Sequence, residues 1–290
     1  MQTMAVSGVS GFVGKRLLEY NRQKFALMPL LLREQSCNTL DLKGVDTVVH
    51  LAGKAHQMEP IDDQVYFEVN YELTKQLADR AKQQGVQQFI YISSTKVYGD
   101  DIQEVLNEQS PCRPADAYGA SKLKAEQYVQ SIADNHFTVA VVRPPLVYGP
   151  EVKGNMIRLL QLANKNYPLP FGNSRNARSM VFVDNLVALI NCIIEKRAGG
   201  VFVAGDLKPV ATDELIGLIR KYLGKNRGLV TVPGPLRSVI KYIRPALYRR
   251  LFGSFVVDNH ATNRQLGFTP PCSTEQGVAE MVNWFKKAHG

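Results

Sequence analysis

The sequence predicts an α/β protein: a Rossmann-type doubly wound parallel sheet with a smaller C-terminal substrate-binding domain. Three observations predict it. Short Val/Ile/Leu runs alternate with helical patterns through the first 150 residues, a glycine-rich turn follows the first run, and Pro and Gly accumulate after Pro144. Parallel strands covered by helices on both faces read as continuous apolar runs, and repeated β-α units close into such a sheet through right-handed crossovers.

The predicted strands are Thr3–Ser7, Ala26–Leu32, Thr47–Leu51, Gln88–Ser93 and Thr138–Arg143; helical patterns lie near Phe12–Arg22, Tyr71–Gln84 and Tyr118–Asp134. After Pro144, Pro145, Gly149, Pro150 and Gly154 the chain leaves this pattern. It returns with the apolar helix Leu186–Ile194 and the strand Val201–Ala204, then departs again. The expected division is therefore 1–150 rejoined by 181–206, with 151–180 and 207–290 forming the smaller domain.

Composition narrows the function class. The 290 residues are 45% hydrophobic and 21% charged, an ordinary globular balance without low-complexity tracts or repeats. The N-terminus runs directly into the glycine turn, leaving no space for a signal peptide, and no apolar run nears the roughly 20 residues that span a bilayer. A cytoplasmic protein is expected. Cys37, Cys112, Cys192 and Cys272 are far apart and the five histidines are scattered, so neither a disulfide framework nor a metal is expected. The net charge of +9 attracts polyanions in general and does not choose among them.

Gly8, Gly11 and Gly14 are spaced i, i+3, i+6 between the first strand and first helix, with Phe12 and Val13 inside the turn. A pyrophosphate resting on a helix N-terminus needs that close backbone approach, so a dinucleotide is expected. An acid at the end of the second strand would bind the ribose hydroxyls of NAD; this chain has Leu31-Leu32-Arg33-Glu34. Arg33 can pair with a 2′-phosphate, which favours NADP, with NAD the alternative.

Tyr118 and Lys122 are four apart on a predicted helix and share one face. The lysine charge is expected to lower the tyrosine pKa from about 10 toward working pH, fitting it to exchange a proton with a hydroxyl. Ser93-Ser94-Thr95 closes the fourth strand at the carboxyl edge of the sheet, where such folds bind ligands.

Together, Gly8-x-x-Gly11-x-x-Gly14, His50-Leu51-Ala52-Gly53, Asn70, Ser93-Ser94, Tyr118-x-x-x-Lys122 and Arg143-Pro144-Pro145 resemble the extended short-chain dehydrogenases/reductases. The likeness is to their UDP-glucose 4-epimerase-like nucleotide-sugar branch and covers essentially the whole chain. It implies that Tyr118 is the general acid/base, that Lys122 supports it and holds the nicotinamide ribose, and that Ser94 bonds the reacting oxygen. It also implies that Asp41 and Leu42 contact adenine, that Leu51, Ala52, Gly53 and Asn70 belong to the cofactor site, and that Pro144 lies beside the nicotinamide. A homodimer is implied as well.

Departures from the family narrow the reaction. Related 4,6-dehydratases carry Asp-Glu directly after the Ser/Thr, whereas this chain has Thr95 and Lys96, which leaves dehydration without its proton shuttle. A 4-keto reductase of the UDP-4-keto-6-deoxy-N-acetylglucosamine type and a UDP-sugar 4-epimerase remain; Arg33 favours the reductase. On the substrate side, the resemblance places Thr95, Asn155, Arg178 and Arg264 near a UDP-sugar. Asn155 could equally cap a helix, and a surface arginine is the default for Arg264.

The stretch Pro235–Gly253 holds Arg237, Lys241, Arg244, Arg249 and Arg250 with apolar residues at helical spacing. An amphipathic helix packed on the small domain is favoured over docking to an anionic membrane. No base-stacking motif indicates nucleic acid, and retention of Tyr118, Lys122 and Ser94 argues against a non-catalytic dinucleotide sensor.

Overall fold

The computed structural model describes residues 1–55, 62–100, 104–225, 228–231, 233, 242–243, 248 and 252–289. Its centre is a six-stranded sheet, all parallel, in the order β2-β1-β3-β4-β5-β9. The strands are β1 (Thr3–Ser7), β2 (Ala26–Leu30), β3 (Thr47–His50), β4 (Gln88–Ile92), β5 (Thr138–Arg143) and β9 (Gly200–Val203). All six predicted strands form, each ending within two residues of its expected limit. The reversal of strand order between β1 and β3 opens a crevice at the carboxyl edge, the position where doubly wound sheets bind ligands.

Helices cover both faces. One apolar core packs α1 (Phe12–Asn21) and α6 (Val183–Glu195) against the sheet through Leu17, Leu186, Val187, Ile190 and Ile194. Most of α6 is buried, which explains why its sequence is apolar around much of its circumference. Its buried Asn191 exchanges reciprocal amide hydrogen bonds with Asn21 of α1, at 2.9 and 3.1 Å, so neither amide is left unsatisfied. The other face carries α3 (Leu73–Gln83) and α4 (Ala117–Ser131), through Leu77, Ala78, Ala125 and Val129.

The helical segment that starts with α2 (Asp63–Tyr66) begins eight residues before the expected Tyr71. It passes through a wide π turn at Phe67–Glu72 before continuing as α3. Sequence periodicity misses this start because the π turn inserts a residue and breaks the 3.6-residue register.

Beyond β5 the chain forms β6 (Leu146–Tyr148), α5 (Asn155–Ala163), β7 (Leu169–Gly172) and β8 (Met180–Phe182). It then forms α7 (Thr212–Leu223), β10 (Leu229–Thr231), α8 (His260–Leu266) and α9 (Thr274–His289). Pairs β6·β8 and β7·β10 are both parallel. Their core gathers Leu160, Phe171, Phe182, Ile216, Ile219, Met281 and Phe285, with Phe12 and Val13 of the glycine turn packed on its margin. The basic stretch 235–253 lies for the most part outside the described residues. Among the described residues no helix is long and apolar enough to cross a membrane.

Candidate active site and dinucleotide cradle

The glycine turn is built for close approach. Gly8 has φ +73°, and a Cβ there would lie 2.6 Å from the Ala52 nitrogen; one on Gly14 would lie 2.2 Å from the Gly8 carbonyl oxygen. Both clashes are with backbone, so neither can relax by a side-chain rotation. Helix α1 opens on Gly11 without a side-chain cap, leaving its N-terminal dipole end open to an anionic group. The cradle a pyrophosphate requires is therefore present in this chain.

A buried polar chain joins this turn to the rest of the site. Ser7 Oγ accepts the backbone N–H of Leu51 and Ala52, both at 3.2 Å, and lies 2.6 Å from His50 Nδ1. With its lone pairs taken, the Ser7 hydroxyl donates to Nδ1. His50 then carries its proton on Nε2 and donates to Thr74 Oγ1 at 2.9 Å, and Thr74 donates to the Asn70 carbonyl at 2.7 Å. Burial, with a smaller contribution from the Lys122 charge, pushes the His50 pKa down to about 3. The imidazole is thus neutral near pH 7, as this directional chain demands.

Asn70 sits in the π turn, fully buried. Its Oδ1 accepts the Lys54 N–H at 2.7 Å; its Nδ2 donates to the Lys54 carbonyl and to Ser121 Oγ on α4. Ser121 in turn donates to the Tyr118 carbonyl at 2.8 Å. A Cβ on Gly53 would stand 2.8 Å from Asn70 Oδ1 and 3.2 Å from Lys122 Nζ. The His50–Gly53 segment, Asn70 and the Tyr118 helix thus meet at one point.

Asp116 caps α4, its carboxylate accepting the Gly119 N–H at 2.7 Å. Tyr118, in the first turn, is half-buried, hydrogen-bonded to Ser94 and set edge-on to Tyr66 with ring centroids 5.9 Å apart. Lys122, one turn further, is buried; its ammonium donates to the Ile92 carbonyl at 3.0 Å and stands 4.8 Å over the Tyr91 ring. Burial brings its pKa down to about 8, partly opposed by Glu126. Glu126 is itself fully buried in a bidentate pair with Arg143, which donates to Oε2 at 2.6 Å and to Oε1 at 3.2 Å.

The expected lowering of the Tyr118 pKa is not what this arrangement produces. Packing raises it above the usual phenol value, and the Ser94 hydrogen bond pulls it back only in part. The main reason is burial of the phenol, to which the nearby Asp116 carboxylate adds by opposing a phenolate; the Lys122 ammonium is turned to the Ile92 carbonyl and the Tyr91 ring.

Ser94 caps the turn Thr95–Tyr98, its Oγ accepting the Lys96 N–H. Thr95 is buried and donates its N–H to the Pro144 carbonyl at 3.0 Å, which ties the 143–145 segment to the serine turn. Ser93 Oγ is buried with no hydrogen-bond partner among the described residues.

The remaining expected residues spread outward. Arg33 is exposed just past β2 and Asp41 is exposed, whereas the Leu42 side chain is fully buried in the core, its N–H donating to Gln84 Oε1 and its carbonyl accepting the Val45 N–H. Asn155 is exposed and is the first residue of α5, so the capping alternative fails: Gly154, at φ +66°, holds that position. Arg178 donates to the Gly253 carbonyl at 3.1 Å, and burial lowers its pKa. Arg264 is exposed on α8. Asp184 lies in the first turn of α6 and forms a bidentate pair with Arg16. A cleft of about 490 Å³ lined by Asp46, Lys82, Asp134, His136 and Arg197 is at the opposite edge of the sheet, remote from all these groups.

Sequence reasoning passed over Tyr66 and Ser121. Ser121 lies within the Tyr-x-x-x-Lys pattern and could have been found there; the only local signal for Tyr66 is Asp62, which caps α2.

Residues 4–205 match the family described as the NAD dependent epimerase/dehydratase family. A UDP-glucose 4-epimerase of Vibrio cholerae is 35% identical over 261 residues, covering 86% of this chain and 80% of that protein. In fold, the chain is similar to UDP-glucuronic acid 4-epimerase from Bacillus cereus in complex with NAD (TM-score 0.78, 19% identity, all of both chains). It is also similar to RMD from Pseudomonas aeruginosa complexed with NADPH (TM-score 0.80, 22% identity, 98% of this chain and 100% of that one). The chain belongs to the NAD dependent epimerase/dehydratase family of nucleotide-sugar enzymes.

Proposed function

We propose that this enzyme carries out oxidoreduction at C4 of a UDP-linked sugar, acting as an NADPH-dependent 4-keto reductase of the UDP-4-keto-6-deoxy-N-acetylglucosamine type. The observation that carries the reductase reading is Arg33, exposed just past β2 where an acid would serve NAD. Gly8, Gly11, Phe12, Val13 and Gly14 would hold the pyrophosphate. Asp41 and the Leu42 backbone would face adenine; Leu51, Ala52, Gly53, Asn70 and Pro144 would line the remaining cofactor path. The bound nicotinamide would supply hydride to the sugar C4 or take it up.

Tyr118 holds the proton exchanged at O4, and its raised pKa keeps it protonated, the form a reductase needs as its acid. Ser94 shares a hydrogen bond with that phenol and orients the same oxygen. Lys122 presents a cation beside Gly53 for the ribose. Asn155, Arg178 and Arg264 are the candidates for the sugar diphosphate, and Thr95, being buried, acts on the substrate by fixing the serine turn. A homodimer and a cytoplasmic location belong to the same reading.

A second reading, a UDP-sugar 4-epimerase with tightly held NAD, is favoured by the relationship to the Vibrio cholerae protein. The cofactor released on denaturing purified protein separates the two. Protein isolated free of NAD, binding NADPH about 10- to 100-fold more weakly as Arg33→Ala and oxidising NADPH with the 4-keto sugar, supports the reductase. Stoichiometric NAD retained through purification, with interconversion of UDP-sugar epimers, overturns it in favour of the epimerase.

A further inference from the structure

We propose that Lys96 is a positioning residue that clamps the Ser94 turn to the start of the Tyr118 helix and screens Tyr118 from Asp116. This rests on the reading of Tyr118 as the acid/base.

Lys96 occupies the junction of the two elements in both backbone and side chain. Its N–H donates to Ser94 Oγ at 3.2 Å. Its carbonyl lies 2.6 Å from where a Cβ on Gly119 would stand, so the serine turn and α4 are in direct backbone contact. Its ammonium pairs with Asp116 at 3.0 Å and also with Asp100. Asp116 caps α4 through Gly119, and Tyr118 is two residues along. One side chain therefore couples the element that carries the serine to the cap that sets the tyrosine.

The pair is only about a quarter exposed on each side, and partly exposed ion pairs contribute little to folding. Placement of the reacting groups is far more sensitive, since small misplacements at a catalytic centre cost large factors in rate.

The groups that act on Tyr118 are Ser94 from the serine turn, Tyr66 from α2 and Asp116 on its own helix, and Lys96 bears on it through its ion pair with Asp116. Removing the Lys96 charge leaves the Asp116 carboxylate unscreened and should drive the Tyr118 titration to higher pH. Removing the Asp116 charge while keeping a capping oxygen, as Asp116→Asn does, should drive it to lower pH. A merely structural contact would not move the titration in opposite directions.

The experiment compares wild type, Lys96→Met, Lys96→Arg, Asp116→Asn and the double variant Lys96→Met/Asp116→Asn. The readouts are steady-state turnover against pH and tyrosinate difference absorbance referenced to Tyr118→Phe. Lys96→Met should lose about 10- to 100-fold in kcat with little change in KM. Its thermal midpoint should stay within about 4 °C of wild type. Lys96→Arg should restore most of the rate, and the double variant should fall no further than the worse single one. Wild-type kcat in Lys96→Met, or titrations moving the same way in Lys96→Met and Asp116→Asn, would overturn the proposal. Should wild type turn over no nucleotide sugar, the function proposed above fails, and the clamp is still decided by the two tyrosinate titrations.

Discussion

The two sides of the crevice are made differently. On the side proposed for the cofactor, Gly8, His50, Asn70 and Lys122 are locked by backbone contacts and a directional hydrogen-bond chain through buried groups. On the side proposed for the substrate, Asn155 and Arg264 are exposed on helices, and Arg178 is half-buried and held by a loop carbonyl. Under that proposal the first side would present one geometry to a ligand whose shape does not change. The exposed side chains of the second can be exchanged without disturbing the core.

The contrast predicts a gradient of effects. The largest is expected at the centre: Tyr118→Phe should lower kcat by roughly 10²- to 10⁴-fold while dinucleotide affinity, measured by titration, stays near wild type. Loss of binding along with rate would mean that the tyrosine belongs to the cofactor lattice and would blur the division. Next, Gly14→Ala places a methyl against the Gly8 carbonyl and should weaken dinucleotide binding about 10- to 100-fold by calorimetry. An alanine tolerated there would show that the turn is softer than its contacts suggest.

Stability against pH tests the buried chain itself. His50 is neutral when folded, with a pKa near 3, but titrates near 6.5 when unfolded. The unfolded chain therefore binds the extra proton between these values. This contribution to stability is fully present above about pH 6.5 and is lost progressively as pH falls toward 3. His50→Asn should flatten that limb of a denaturant-unfolding series; an unchanged limb would assign it to carboxylates. The smallest effect is expected at Arg264→Ala, a rise of no more than about threefold in KM for the UDP-sugar, since an exposed side chain has little desolvated contact to lose. A tenfold rise would place Arg264 in the substrate site and break the comparison from the other side.

This gradient also accounts for what could be read from residues alone. The strands and the glycine turn were legible because close packing admits few residue types: Gly14 has no room for a methyl, and Val48 and Val49 are buried on both faces of the sheet. Ser94, Tyr118 and Lys122 were legible as a set because their spacing on a turn and a helix follows from local geometry. The sign of the Tyr118 shift was not, because it depends on how deeply the phenol is buried and on the approach of Asp116, both products of tertiary packing. Asn155 as the first helical residue and Leu42 as a core side chain were hidden for the same reason: polarity and apolarity do not reveal which neighbour is met.

The wide turn at Phe67–Glu72 has a consequence for how this site can vary. A regular helix advances about 100° per residue. Deleting one residue from the turn would let the helical hydrogen bonding run unbroken into α3, giving locally better geometry. It would also swing Tyr66 by about that angle relative to Leu77 and Ala78, which are seated in the core, and carry Asn70 with it if the cut fell after that position. Asn70 would no longer face Lys54 and Ser121, and Tyr66 would leave Tyr118. Substitutions around this turn are therefore open to drift, whereas a change in its length is not, and the surplus residue acts as a phase marker that keeps two faces of one helix addressed to two different tasks.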